Sequence, residues 1–435
     1  MTSGKATGLL ELGTLMADAG YPVPDVQAVL RAAAAAQGRP DIVVSALGDQ
    51  LIVDDPMDNC TRTALTSGRV LNYGQTRATT QLSAAASHGN VPLESLSDEV
   101  KRALAAGTNP PRWAIMLGCG LVSLGLGIAF DAPYWAIGIS FFLGFISSAG
   151  MGAIKLTKRV ASIMPLVLSF ITTLLLLAVA ALIQAHTIPL VALAVPVVIL
   201  VPGAVITQAV LEISGGDPIS GGGRLVAGLL TWGLMAGGVL LAVAVFGGRP
   251  SGYYVILPWG SELTTRALGW WATAPPAWTG WLGMLGLGIG FALLVWFPWK
   301  PALLMLAVLE IAYTILTVCS PLMGSPIATG IAAAAALFIS RSVERYSPAL
   351  PPLILFRPTF WALVPGTLGL VGILSSSGHV DTGDVAMPVM GTILAIAVGL
   401  QVGALASELV HPHVRHLIPK KLRPNVTNPQ APTVL

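Results

Sequence analysis

Leu200-Val201-Pro202-Gly203-Ala204 and Leu363-Val364-Pro365-Gly366-Thr367 are two similar stretches, each inside a long apolar segment. A helix in lipid loses a backbone hydrogen bond at a proline, and the freed groups need neighbouring protein or a lined cavity to satisfy them. A matched pair of interrupted helices is typical of transporters. The two stretches therefore predict a membrane protein that carries a solute between two broken helices.

The composition places most of the chain in a lipid bilayer. Of its 435 residues, 54% are hydrophobic and only 10% are charged, which is more apolar surface than a soluble core can bury. The first twenty residues carry Glu11 and Asp18 within a helical pattern, so we expect no secretory leader. Cys60, Cys119 and Cys319 are isolated from one another, which argues against a disulfide framework or a zinc site. We expect no cofactor and no bound metal.

The N-terminal part, residues 1–111, has the pattern of a small α+β domain that we expect in the cytoplasm. Apolar residues recur at helical spacing near its start, and short β-branched runs follow a second helical pattern. The predicted helices cover residues 9–16, 25–37, 74–86 and 92–106, and the predicted strands cover residues 42–44, 51–53 and 61–66.

The rest of the chain predicts ten membrane-spanning helices, so the fold class is mostly α and polytopic. Their apolar segments are about 17 to 26 residues long, which suits roughly 30 Å of hydrocarbon. The first five lie in residues 112–248, an extracytoplasmic loop covers 249–277, the second five lie in 278–410, and a cytoplasmic tail covers 411–435. The predicted spans are 113–130, 133–154, 161–185, 188–213, 225–247, 278–296, 301–319, 323–339, 359–376 and 385–409.

Charge placement predicts the orientation. Fifteen Lys and Arg residues fall on the flanks that this topology places inside, whereas only Arg249 and Arg266 fall outside. Because five is odd, the second set of five helices must enter the membrane in the opposite direction, as an inverted repeat. The two Pro-Gly breaks then occupy the fourth span of each set and meet near the midplane. The alternative is that they kink two unrelated helices, since Pro and Gly are common in such spans.

A family resemblance is carried by Leu9–Gly13, Ala19-Gly20, Leu71-Asn72, Val201–Gln208, Pro218, Arg224 and Val364-Pro365-Gly366. With these stretches the sequence resembles the threonine/serine exporter (ThrE) family over nearly its whole length. The resemblance implies proton-coupled export of small hydrophilic amino acids across a bacterial inner membrane, and the charge placement with an even number of spans predicts that both termini are cytoplasmic. Relatives linked to small carboxylic acids leave that substrate class as an alternative.

The predicted substrate site lies between the two breaks. Half-helix N-termini favour anions and freed carbonyls favour cations, so broken helices suit a zwitterion. Polar side chains in a span are also explained by hydrogen bonds between helices. The candidate substrate-binding residues are Pro202, Gly203, Thr207, Gln208, Pro365, Gly366, Thr367 and Gln401, the last expected to face the bundle interior.

Three ionisable residues are candidates for proton coupling or gating. Glu310 lies in the middle of an apolar run, where an unpaired carboxylate would be strongly desolvated. It is a candidate proton carrier. The alternatives are a protonated or hydrogen-bonded structural Glu, or a span whose true register differs from the predicted one. Glu212 and Arg224 flank a polar connection, where we expect a cytoplasmic gate or an ion pair. The alternative is a solvated loop with an anchoring Arg.

Other functions have weaker support. The glycines at 215–216 and 221–223, interpreted as a loop, lack the Gly-Lys-Ser/Thr ending of a phosphate cradle. A membrane-bound enzyme would need a nucleophile or metal pattern in the N-terminal domain, and a channel would not need the intramembrane Glu310. We therefore expect a transporter, not an enzyme, whose partners are its substrate and membrane lipid, without nucleic acid. The sequence leaves open whether the protein forms an oligomer.

Overall fold

The chain is mostly helical. The structure, a computed structural model, describes residues 4–47, 50–69, 71–153, 158–251, 254–259, 268–346, 352–363 and 382–414. The N-terminal helices are α1 (Gly4–Asp18), α2 (Val23–Ala36), α3 (Tyr73–Ser87) and α4 (Leu96–Leu104). The first half of the bundle contains α5 (Arg112–Ala129), α6 (Tyr134–Ala153), α7 (Lys158–Leu182), α8 (Leu190–Ala194), α9 (Gly203–Ser214) and α10 (Pro218–Val245). The second half contains α11 (Thr279–Leu294), α12 (Trp299–Met323), α13 (Ser325–Tyr346), α14 (Pro352–Leu363) and α15 (Thr382–Val414).

The N-terminal region, residues 4–106, packs α1 to α4 around a three-stranded antiparallel sheet. Its strands are β1 (Val43–Leu47), β2 (Gln50–Asp55) and β3 (Cys60–Leu65), in that order. Leu51 and Val53 of β2 point into a core that also contains Leu12 and Leu30. The predicted helices and strands of this region are confirmed, although the last helix begins after a 3₁₀ turn at Leu93–Ser95.

The bundle contains helices suited to a bilayer. Five are long and apolar enough to cross a membrane, in α5, α7, α10, α12 and α13, and shorter apolar helices lie in α6, α11 and α15. Within the described residues every predicted span contains helix, while residues 364–376 of the ninth lie outside them. The count of ten spans and the inverted repeat stay predictions.

Glycine contacts join the two halves along α5 and α11. Gly118 lies against the carbonyl of Gly290, Gly125 lies against that of Gly283, and each contact is reciprocal. A Cβ added at Gly118 would lie 2.7 Å from the Gly290 oxygen, so a side chain there would push the helices apart. Rising residue numbers on α5 meet falling numbers on α11, so these helices are antiparallel.

The other helix pairs show a similar use of small residues. Gly399 of α15 lies against the carbonyl of Gly330 in α13, and Gly403 lies against that of Ala334. Residue numbers rise together on both helices, so α13 and α15 are parallel. In the first half, Gly238 of α10 packs on the backbone of α7. The third and fifth predicted spans therefore pack together in each half.

A small sheet fixes one end of the bundle. It contains β4 (Thr187–Pro189), β5 (Arg249–Ser251) and β6 (Tyr254–Ile256), in the antiparallel order β4-β6-β5. The amide of Leu257 also donates to the carbonyl of His186 over 2.9 Å. The connections before α8 and after α10 therefore lie on the same side, as the predicted topology requires.

One loop prediction is wrong. The predicted fifth span begins at residue 225, but α10 begins at Pro218 and includes the glycines at 221–223. Asp217 caps this helix by accepting from the Ser220 amide over 3.1 Å, and proline is favoured in the first helical turn. Gly221 is needed there because it lies against Ala209 and Ile213 of α9. Close packing, not a loop, explains this glycine.

Candidate functional site

The segment that leads to Pro202 changes from a 3₁₀ helix to an α-helix at the predicted break. A 3₁₀ helix covers Val195–Leu200, and α9 begins at Gly203. Pro202 has φ −76° and ψ 38°, and the Gly203 amide donates to the Val201 carbonyl over 2.7 Å. These features are those of an inverse γ-turn. The interruption predicted at Pro202 and Gly203 is therefore confirmed.

The second break lies outside the described residues, which end in this part of the chain at Leu363. Its predicted residues are Pro365, Gly366 and Thr367. The helix that leads to them, α14, packs on the first break: a Cβ added to Gly203 would lie 3.3 Å from the Phe360 ring and 3.6 Å from that of Trp361. A side chain at position 203 would therefore need the Phe360 ring to shift by a few tenths of an ångström.

A cavity of about 710 Å³ extends from this break to the N-terminal region. Its size is typical of sites that hold small molecules. It lies where both halves of the bundle meet the N-terminal region and the linker that follows it. The lining residues are Leu71, Asn72, Asn109, Pro110, Ile115, Leu200, Val201, Pro202, Val205, Thr231, Phe291, Leu294, Val295, Arg357 and Trp361.

Arg357 is a lining residue that the sequence analysis missed as a site residue. The predicted ninth span begins at residue 359, which places Arg357 among the charges on its inner flank. In the structure, α14 begins at Pro352, which places Arg357 between apolar residues on both sides. The run Leu353-Ile354-Leu355-Phe356 was the signal that the apolar segment begins earlier.

Glu212 and Arg224 form an ion pair between α9 and α10. The Nε of Arg224 lies 3.0 Å from Oε2 of Glu212, and the Glu212 side chain is fully buried while that of Arg224 is 20% exposed. Oε1 of Glu212 also accepts from the backbone amide of Val23 over 3.4 Å. The alternative of a solvated loop is therefore wrong, because buried charges are paired when they cannot reach water. Whether the pair acts as a gate stays a prediction.

The N-terminal region docks on α9 through the connection between α1 and α2. Gln208 donates from Nε2 to the Tyr21 carbonyl over 3.1 Å, one helical turn before Glu212. A second contact joins the region to the α11–α12 connection, where the Tyr73 amide donates to the Val295 carbonyl over 3.2 Å. The Tyr73 and Phe297 ring centroids are 4.5 Å apart. Gln208 thus has a partner in the N-terminal region, and its contact with substrate stays a prediction.

Glu310 lies at the middle of the 25-residue α12. Its side chain is partly exposed, but Oε1 is buried and has no hydrogen-bond partner among the described residues. Tyr313, one turn later, lies within electrostatic reach of both Glu310 and Asp131. A carboxylate in this position suits a proton carrier, since an unpaired charge in apolar surroundings is costly.

Of the remaining candidates, Gln401 is not among the described residues that line the cavity. Gln401 of α15 is exposed, on the same face as the exposed Val398 and Leu405, so it does not face the bundle interior as predicted. The backbone of Thr207 belongs to α9, and its side chain is outside the described part of the structure. Among the described residues no group of His, Cys, Asp and Glu could hold a metal ion.

Comparison with known proteins identifies a family for this chain. A family model described as "Putative threonine/serine exporter" matches residues 8–246, which include the N-terminal region and the first half of the bundle. No curated protein and no solved structure matches the chain. The matched segment covers more than half of the 435 residues. The protein therefore belongs to the ThrE family of threonine/serine exporters.

Proposed function

We propose that this protein is a proton-coupled exporter that binds a small hydrophilic amino acid in the cavity beside Pro202. The observation that supports this proposal most directly is the continuity of the cavity, which reaches from the N-terminal region to the helix break. An exporter takes its substrate from the cytoplasm, where the predicted topology places the N-terminal region. Carbonyls around the break would hold the substrate ammonium group.

The packing of the bundle supports two inverted halves that move against each other. The helices that open each half, α5 and α11, are antiparallel and meet through reciprocal glycine contacts. An interface formed by glycines has few side chains that interlock, which suits a rocking motion of one half against the other around a central site. In this proposal the Glu212–Arg224 pair closes the cytoplasmic end of the first half, and Glu310 carries the proton.

Efflux assays test the proposal. Inside-out membrane vesicles that contain the protein should take up labelled threonine when the lumen is made acidic, because protons then leave the lumen as the amino acid enters. Vesicles without the protein are the control. Uptake that is the same with and without the pH gradient would indicate a channel. Absence of uptake would contradict export of threonine.

A second candidate function is export of small carboxylic acids. One observation favours it: no carboxylate is found among the described residues that line the cavity, so no side-chain anion there would pair with an ammonium group. The same vesicles distinguish the candidates when labelled lactate replaces threonine. Gradient-driven uptake of lactate alone would favour this second function.

A further inference from the structure

We infer that Arg357 is the residue that binds the carboxylate of the transported molecule. The inference rests on the proposed function as an exporter, but holds for an amino acid and for a carboxylic acid alike. Arg357 lies in α14, one turn before Trp361, and both residues line the cavity. A Cβ added at Gly203 would lie 3.6 Å from the Trp361 ring, so Trp361 lies beside the break. The guanidinium group is therefore held on the helix that packs against the break.

The charge distribution of the cavity assigns this role to Arg357. It is the only ionisable residue among the described lining residues, and no described carboxylate forms an ion pair with it. Most of the lining is apolar, so an uncompensated guanidinium group is costly there. An incoming carboxylate removes that cost, and the planar guanidinium group of Arg can donate hydrogen bonds to both carboxylate oxygens at once.

The surroundings of Arg357 restrict what it can reach. Gly20 of the N-terminal region is close to it, since a Cβ at that position would lie 3.2 Å from Nη2 of Arg357. Gly20 has φ 91°, a conformation that favours glycine. At Gly20 the N-terminal region therefore presents backbone, and no side chain, to the guanidinium group.

Polar groups for the remainder of a small substrate lie on other walls. Thr231 of α10 donates its hydroxyl hydrogen to the Ala227 carbonyl over 2.9 Å, so its oxygen can still accept a hydrogen bond from a ligand. Asn109 accepts from Asn72 through Oδ1, and its amide hydrogens can donate. The chemical class that fits is a short molecule with a free carboxylate at one end and a hydroxyl or ammonium group at the other.

The test compares ligands that differ only in the carboxylate. Binding of threonine, threoninamide and lactate is measured with the full-length protein in lipid nanodiscs, for wild type, Arg357→Gln and Arg357→Lys. The matched control is Arg112→Gln, since Arg112 is an exposed arginine at the start of α5 and does not line the cavity. The ratio of two dissociation constants is measured on the folded fraction alone, so partial unfolding does not distort it.

Wild type and Arg112→Gln should bind threonine on the order of 10- to 100-fold more tightly than threoninamide. Arg357→Gln should reduce this preference to near unity, and Arg357→Lys should retain part of it because the charge stays without the fork. A preference that survives in Arg357→Gln, or that is absent in a wild-type protein that binds threonine, would overturn the inference. If the wild-type protein binds lactate but not threonine, and Arg357→Gln weakens the binding of lactate, Arg357 binds a carboxylate as inferred. Export of an amino acid would then be contradicted. A wild-type protein that binds none of the three would contradict both.

Discussion

Glu212 and Glu310 are the same residue type in two regions of one helical bundle, but their surroundings differ. Glu212 is fully buried, lies 3.0 Å from Arg224, and accepts a hydrogen bond from Val23. Glu310 is in the middle of α12, and no described residue donates to its buried Oε1. The comparison teaches that hydropathy alone cannot assign a role to a carboxylate in a span. A paired carboxylate such as Glu212 holds neighbouring helices and the N-terminal region together, whereas an unpaired one is available to exchange a proton.

The largest effect is expected for Glu310→Gln. The amide cannot release a proton, so pH-gradient-driven uptake by inside-out vesicles should fall on the order of 100-fold, while exchange of labelled for unlabelled substrate continues. Initial uptake rates with and without the gradient measure the change. Glu310→Asp is the control, because it keeps the ionisable group and should retain part of the coupling. Normal gradient-driven uptake in Glu310→Gln would show that the unpaired Glu310 does not carry the coupled proton.

A smaller effect is expected when the Glu212–Arg224 pair is broken. Either Glu212→Gln or Arg224→Gln leaves one buried or partly buried charge without its partner, which should lower the free energy of unfolding by about 3 kcal/mol. Replacing both residues removes the uncompensated charge, so the double variant should be more stable than either single variant. Thermal unfolding of the three variants in detergent, followed by size-exclusion chromatography, measures the order. A double variant that is no more stable than the singles would mean that the ion pair does not hold α9 and α10 together.

The smallest effect concerns a paired carboxylate at the surface of the N-terminal region. Nη2 of Arg39 lies 3.0 Å from Asp41, and Arg39 also pairs with the buried Asp55. The hydrogen bonds from Arg39 hold the pKa of Asp41 below its ordinary value. Ionised Asp41 therefore stabilises the fold above the unfolded pKa of about 3.9, and this contribution is lost as the pH falls through the lower folded value.

Hydrogen exchange of the full-length protein checks this pH dependence. Amides of β2 should exchange faster in Asp41→Asn than in wild type at pH 6, and the difference should shrink as the pH falls toward 3. Comparison at each pH cancels the intrinsic change in exchange rate. A difference that stays constant with pH would show that the charge of Asp41 contributes nothing to the stability of the fold. The contrast between paired and unpaired carboxylates would then apply only inside the bundle.

The N-terminal region and the helical bundle were not equally predictable in their details. Most helices and strands follow from local periodicity, and the predicted elements around Leu12, Leu30 and Val53 are confirmed because their side chains form one core. The start of α10 was missed because a run of glycines resembles a loop, whereas Gly221 is needed for contact with α9. A glycine that serves packing and one that serves a turn are identical in sequence.

The sequence by itself determined that the chain enters a membrane, where its helices lie, and that a break occurs at Pro202. Apolar length and the missing amide of proline are local properties, so no tertiary contact is needed to infer them. Only the tertiary structure decided that Arg357 lines the cavity, that Gln208 binds the Tyr21 carbonyl, and that Glu212 is paired while Oε1 of Glu310 has no described partner. These depend on which residues distant in sequence come within a few ångströms of each other, and that is set by packing of whole helices.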